Sequence, residues 1–204
     1  MSIYEKEHVR DIYENISHFF NHTRAYQWSW IRDFITKHYK IGDIVFDVGC
    51  GNGRNMKNEF IGIDTCFNLT KICKDKKLNV LNSDICSLSM RDNIADIVIC
   101  IAVFHHLYTI ERREKALREL FRITHKNSII LLSVWSKTQP KKTRRVFENY
   151  GDNMVLWKQG NKIYERFYYI FQIDEIKDLF DKCGFQIIAH TYDCGNEVFT
   201  LKHK

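Results

Sequence analysis

The run Ile44-Val-Phe-Asp-Val48 breaks directly into Gly49-Cys-Gly-Asn-Gly53, and this junction constrains the fold more than any other stretch of the chain. A short apolar run of this kind reads as a strand covered on both faces. The glycines behind it let the backbone turn sharply and approach a ligand with no Cβ in the way. The pattern of strand followed by acid then repeats: Phe60-Ile-Gly-Ile63 ends at Asp64, and Asn79-Val-Leu-Asn82 leads to Asp84. Ala95–Val103 and Ser128–Trp135 are nearly all apolar, as buried strands are. Between them, Glu111–Thr124 carries Ala116, Leu117, Leu120 and Phe121 at helical spacing. Ile173–Cys183 reads as a helix stopped by Gly184, followed by two closely joined strands, Phe185–His190 and Val198–Leu201. Strands alternating with helices predict a doubly wound, mostly parallel α/β sheet with an antiparallel end. Residues 4–38 predict two helices, with Asn21–Thr23 as the break that caps the second. One domain is expected over residues 1–204: N-terminal helices over 1–40, a cofactor-binding half over 41–135, and a substrate-side loop with closing strands over 136–204.

An acid introduces the glycine loop. Asp47 would repel a pyrophosphate but suits a cationic ligand, and Gly-x-Gly-x-Gly differs from the Gly-x-Gly-x-x-Gly of dinucleotide sites. Both features point to S-adenosylmethionine, with Asp47, Gly49, Gly51 and Gly53 around its methionyl part. Asp64, at the end of the second strand, is placed to accept both ribose hydroxyls. Asp84, after the third strand, is placed to meet the adenine amino group, with Ile85 beside the ring, and Ile101 closes the set at the end of the fourth strand. Taken singly, each acid reads as a loop or capping residue; in order after three successive strands, they read as a cofactor site.

Seven cysteines are scattered without a Cys-x-x-Cys pair, so no zinc site is expected. With the charged start over residues 1–11, Met-Ser-Ile-Tyr-Glu-Lys-Glu-His-Val-Arg-Asp, which does not read as a signal peptide, they fit reduced thiols in a cytosolic or nuclear compartment. No apolar run approaches the ~20 residues that span a bilayer, so no membrane partner is expected. The net charge of +6 is compatible with a polyanionic substrate. Five of the nine residues in 137–145 are basic. Lys141, Lys142, Arg144 and Arg145 are therefore candidate phosphate contacts for RNA, against the plainer reading of a solvated loop.

After the fourth strand the chain reads Ile101-Ala-Val-Phe-His-His-Leu107. No Asn/Asp-Pro-Pro-Tyr motif is there to hold an amino nitrogen. No Pro-Cys nucleophile is present either, since Pro140 precedes Lys141. Oxygen acceptors gain weight.

These residues resemble the class I methyltransferase family along nearly the whole chain, which implies its Rossmann-like, seven-stranded fold. They also resemble a narrower family, the eukaryotic wobble-uridine tRNA methyltransferases, which esterify a carboxymethyl group on uridine 34. The resemblance rests on Tyr13–Arg24 with Trp28, on Asp47–Gly53, on Ile101–Leu107 followed by Glu111-Arg-Arg113 and Ala116–Leu120, and on Ser133-Val-Trp135 with Glu165–Phe171. Ser29 and Leu156 stand where the family pattern has proline, and the short Asp47–Asp64 stretch implies a clipped first crossover helix.

The resemblance implies a tRNA anticodon stem-loop as substrate. It also implies a small zinc-binding activator subunit in a heterodimer, with Leu78, Val80 and Leu81 on an edge strand as candidate contacts. A carboxylate acceptor is ionised at pH 7 and needs no general base. It needs positioning and an anion clamp, for which Arg is suited. Arg24 and Arg166 are the leading clamps. His106 is the candidate to orient the acceptor, its neighbour His105 bonding backbone; Trp135 and Tyr168 are candidate base contacts. A small-molecule O- or N-methyltransferase and a non-catalytic RNA-binding scaffold are the rival readings.

Overall fold

The structure is a computed structural model that describes every residue of the chain except Arg144. Sequence alternation becomes a three-layer arrangement around one seven-stranded sheet. The helical elements are α1 (Ile3–Glu5), α2 (Asp11–Thr23), α3 (Ser29–His38), α4 (Phe67–Asp75), α5 (Ile110–Ile123) and α6 (Ile173–Lys182). The strands of the main sheet are β1 (Val45–Val48), β2 (Ile61–Asp64), β3 (Asn79–Asn82), β4 (Ala95–Ile101), β5 (Thr124–Trp135), β8 (Phe185–Asp193) and β9 (Asn196–His203). A separate hairpin is formed by β6 (Gly151–Gln159) and β7 (Lys162–Ile170).

The sheet order is β3-β2-β1-β4-β5-β9-β8. The first five strands run parallel, and β9 lies antiparallel between β5 and β8. This matches the α/β architecture read from the sequence, including its antiparallel end. Alternate residues of β4 serve opposite faces, as the strand period requires. Ile97, Ile99 and Ile101 pack with Ile31, Phe34 and Ile35 of α3. Val98 and Cys100 pack with Leu117 and Leu120 of α5 and Phe180 of α6. A strand that is apolar on both sides is thereby explained.

The chain leaves β1 for β2 on one side and later fills β4 and β5 on the other, so the order reverses between β1 and β4. In open α/β sheets ligands bind at such a switch point, beyond the carboxyl ends of the strands.

Three local expectations change. The break between the first helices lies at residues 24–28, not at Asn21–Thr23. Asn21 stays in the helix, and its side-chain oxygen accepts from Asn52 of the glycine loop at 3.0 Å. The β1–β2 crossover is not a clipped helix but a series of turns over residues 49–60. The β6–β7 hairpin, unmarked in the sequence reading, occupies much of the region taken as a substrate-side loop. Among the described residues, no helix is long and apolar enough to cross a membrane.

Candidate active site

At the switch point a cavity of about 610 Å³ opens over the ends of β1, β2 and β4, roofed by α2. Gly49 makes the turn possible. Its φ is +78°, and a Cβ there would sit 2.1 Å from Val103 Cγ2, so only glycine lets the loop pass the end of β4. Gly51, at φ +57°, lies beneath the ring of Phe20, with 3.3 Å between a would-be Cβ and that ring. Gly53 does not face the cavity with them. Its missing side chain makes room for Leu78, 2.4 Å from where a Cβ would stand, so its role is packing against the start of β3.

Asp47 is 1% exposed, and among the described residues neither of its carboxylate oxygens has a hydrogen-bond partner. Burial pushes its carboxyl up to about 7, against a partial pull from the Arg54 guanidinium. Asp47 itself does not line the cavity, although its neighbours Val48 and Gly49 do, so it acts on a ligand through its charge rather than by contact. A buried acid left this way is an incomplete electrostatic arrangement, which a cationic ligand completes. Asp64 Oδ2 accepts from the Gly51 amide and Oδ1 from the Cys66 amide, both at 2.8 Å. Each oxygen keeps a second lone pair, and the residue lines the cavity.

Asp84 and Ile85 also line the cavity, as does Ile101. The Asp84 carboxylate is already engaged. Arg112 Nη2 donates to both its oxygens at 3.0 and 2.8 Å, the Cys86 amide donates at 2.9 Å, and the Met1 amine pairs with it at 2.9 Å. Burial alone would raise this carboxyl; these partners outweigh it and hold it below the ordinary range. A ligand amino group would join a crowded acid. Arg112 also holds the buried Glu5, whose Oε1 accepts from the Tyr108 amide at 2.8 Å, fastening the N-terminal helical segment over this end. Glu14 fastens α2 from the other side by capping α4, accepting from the Phe67 and Asn68 amides at 2.6 and 2.9 Å.

The far end of the cavity is cationic and aromatic. Arg24, Arg145 and Arg166 all line it. Arg166 is 3% exposed, donates from Nη1 to Tyr13 Oη at 3.1 Å, and leaves Nε unpartnered. Arg24 and Arg166 lie over the ring of Trp157, at 5.8 and 4.9 Å from its centroid. Arg145 turns inward over Trp135 at 4.2 Å. Burial depresses its guanidinium, and repulsion from Arg24 and Arg166 adds to that. None of the three has a carboxylate partner among the described residues. Trp135 stacks on the buried Tyr168, with centroids 4.1 Å apart.

His106 lines the cavity, but both its ring nitrogens are engaged within the chain: Nδ1 with the Phe167 carbonyl at 2.7 Å and Nε2 with Tyr13 Oη at 3.2 Å. His105 Nδ1 accepts from the Trp135 amide at 3.0 Å. Lys142 reaches the cavity rim, whereas Lys141 is exposed and off it. Arg144 lies outside the described residues.

Two contributors escaped the sequence reading. Tyr13 binds three groups of the arginine end. Arg54 stacks 4.2 Å over Trp28 and is depressed to about 10 by burial and then by Arg24. Its signal was its place, directly after the glycine loop.

The orphaned Asp47, the Cβ-free loop and the open lone pairs of Asp64 fit S-adenosylmethionine. Comparison with known proteins agrees. Residues 46–132 match the model of a family described as a methyltransferase domain. A tRNA (carboxymethyluridine(34)-5-O)-methyltransferase of Schizosaccharomyces pombe is 31% identical over 219 residues, covering 95% of this chain and 95% of that protein. The chain belongs to this family. An Arabidopsis thaliana member with the same name is 38% identical over 139 residues, which cover 66% of this chain and 34% of that protein. The chain thus spans about a third of the Arabidopsis member's length. Among solved structures, an S-adenosylmethionine-dependent methyltransferase from Clostridium acetobutylicum superposes with a TM-score of 0.69 at 12% identity, covering 94% of this chain and 99% of that one. One from Methanosarcina mazei gives 0.70 at 17% identity, covering 87% and 98%. At these identities the likeness shows the fold alone, and the fold is the one the family requires.

Proposed function

We propose that this protein methylates the carboxylate of 5-carboxymethyluridine at position 34 of tRNA, giving the methyl ester. One observation carries the reading: three arginines without acidic partners among the described residues converge on the cavity beside a cofactor loop. S-adenosylmethionine, when bound, supplies an electrophilic methyl group on a sulfonium. The acceptor carboxylate is already ionised at neutral pH, so the chain need not remove a proton. Asp47 favours the cationic end of the cofactor, Asp64 its ribose hydroxyls, and Asp84 and Ile85 its adenine. Arg166 and Arg24 grip the acceptor carboxylate and turn one oxygen toward the methyl group; Arg145 completes the anion site. Burial of this end excludes water and strengthens each contact.

Of the basic run expected to meet RNA, Lys141, Lys142 and Arg144 contact the anticodon stem-loop backbone in this reading and Arg145 turns to the acceptor, with Tyr168 and Trp135 forming the floor under the base. The protein works as a heterodimer with a small zinc-binding subunit. Support for that partner is the edge position of β3, where Leu81 is 45% exposed and, among the described residues, no strand lies beyond. In this reading the enzyme works in a cytosolic or nuclear compartment, which the scatter of seven cysteines without a Cys-x-x-Cys pair supports.

The test is methyl transfer from labelled S-adenosylmethionine to tRNA lacking the wobble ester, with and without the activator. Label recovered in the nucleoside and released by mild alkali is the expected result. Cofactor binding without any label in RNA would return the small-molecule reading.

A further inference from the structure

The arginine end contains a hydrogen-bond circuit whose proton positions are dictated by its chemistry. The Phe167 carbonyl can only accept, so His106 Nδ1, 2.7 Å away, carries a hydrogen. Burial keeps the ring neutral by pushing it down to about 3, and the Arg166 charge acts in the same direction. His106 Nε2 is therefore a bare lone pair. Tyr13 Oη, at 3.2 Å, must donate to it. The Tyr13 oxygen is then left to accept from Arg166 Nη1 at 3.1 Å and from Tyr168 Oη at 3.4 Å. The circuit runs from Arg166 through Tyr13 and His106 to the carbonyl of Phe167, the next residue of β7. It begins and ends on one strand and closes only through α2.

We propose that Tyr13 is a positioning residue, which sets the Arg166 guanidinium for the acceptor carboxylate and joins docking of α2 over the cofactor loop to assembly of the acceptor site. This rests on reading Arg166 as the acceptor clamp. The coupling follows from what else α2 carries. Phe20 covers Gly51 and meets Tyr13 edge-on at 5.4 Å, while Glu14 caps α4. When α2 is docked, the cofactor loop is covered and Arg166 is held. When it lifts, the roof and the hydroxyl leave together. A hydroxyl that merely satisfied a buried neighbour would have no reason to favour one orientation of Arg166.

The test is a double-mutant cycle of Tyr13→Phe and Arg166→Lys, measured in methyl transfer, in cofactor affinity and in thermal unfolding. Tyr13→Phe keeps the ring and removes only the hydroxyl. It should lower kcat about tenfold or more, leave cofactor affinity within about twofold, and lower the unfolding midpoint by only a few degrees, the cost of leaving the His106 lone pair without its donor. In the Arg166→Lys background the same substitution should have little further effect, because its target is already gone. Full additivity of the two losses, or an unchanged kcat in Tyr13→Phe, overturns the proposal. Side-chain NMR separates this from failure of the proposed function. Arg166 N–H signals should be resolved in the parent and averaged by rotation in Tyr13→Phe. That difference is expected whether or not RNA is methylated, and its absence counts against the circuit alone.

Discussion

The two ends of the cavity pose opposite electrostatic problems and solve them with different material. The cofactor end is built from backbone: a glycine turn, strand ends, and an acid, Asp47, with no partner among the described residues. The arginine end is built from side chains of four distant segments, with positive charge and, among the described residues, no acid paired with it. Each end is incomplete alone, and each asks for the charge it lacks: a cation at one, an anion at the other. A cationic methyl donor and an anionic acceptor satisfy both. The difference in construction also separates their failures. Damage to the first end should cost the fold, and damage to the second should cost only chemistry.

The sharpest separation is expected at Arg166. Arg166→Ala removes a charge-assisted grip and should lower kcat/KM for RNA by about 100-fold or more. Cofactor affinity should stay within about twofold, and stability should fall only modestly, because relief of repulsion with Arg145 offsets part of the lost packing. Equal losses in cofactor binding would break the division between the ends. At the other end, Gly49→Ala drives a methyl group into Val103 and forces a side chain into φ +78°. A destabilisation of about 1–3 kcal/mol in denaturant unfolding is expected. Adding Val103→Ala should restore the steric part but not the backbone part.

The same division decides what could be read from sequence. Asp47, Gly49 and the strand runs are legible because the turn, the glycines and the apolar period are contiguous. The hairpin was not. Met154, Leu156 and Ile163 are 40%, 51% and 60% exposed on one face, while Val155 and Trp157 lie on the other, so apolar residues occupy both faces and no alternation survives. Tyr13 meets Arg166 across 153 positions, and no local pattern announces such a pair. Family resemblance drew attention to both segments but did not say that they touch. Gly53 shows the reverse error: its motif position implied a ligand, and tertiary packing against Leu78 explains it instead.

Asp47 offers a subtler test, through pH. Its folded carboxyl sits near 7, above the roughly 4 of an unfolded aspartate. Between those values the folded state holds the extra proton, so stability without ligand should fall as pH rises from about 4 and level off above 7. A cationic ligand reverses the preference. Cofactor affinity should therefore rise by up to about tenfold per pH unit and stop rising near 7, with proton release seen by calorimetry in buffers of different ionisation enthalpy. Asp47→Asn should flatten both slopes and weaken binding about tenfold above pH 7. A flat profile in the parent would mean that the cation does not sense this acid.

The smallest effect is expected where charge is fully solvated. Lys141 is exposed and off the cavity, whereas Arg145, four positions on, is turned onto Trp135. If the loop's outer lysines act only on phosphates, Lys141→Ala should weaken RNA binding a few-fold and uniformly across sequences. It should also lower the salt slope by about 0.7, the value for one contact to a single strand. Arg145→Ala should instead lower the rate of transfer at fixed, saturating RNA, because its partner is the acceptor site rather than the backbone. The contrast is informative in both directions. A salt slope that falls with Arg145 and not with Lys141 would move the boundary of the acceptor site inward, leaving Arg24 and Arg166 as its whole anion clamp.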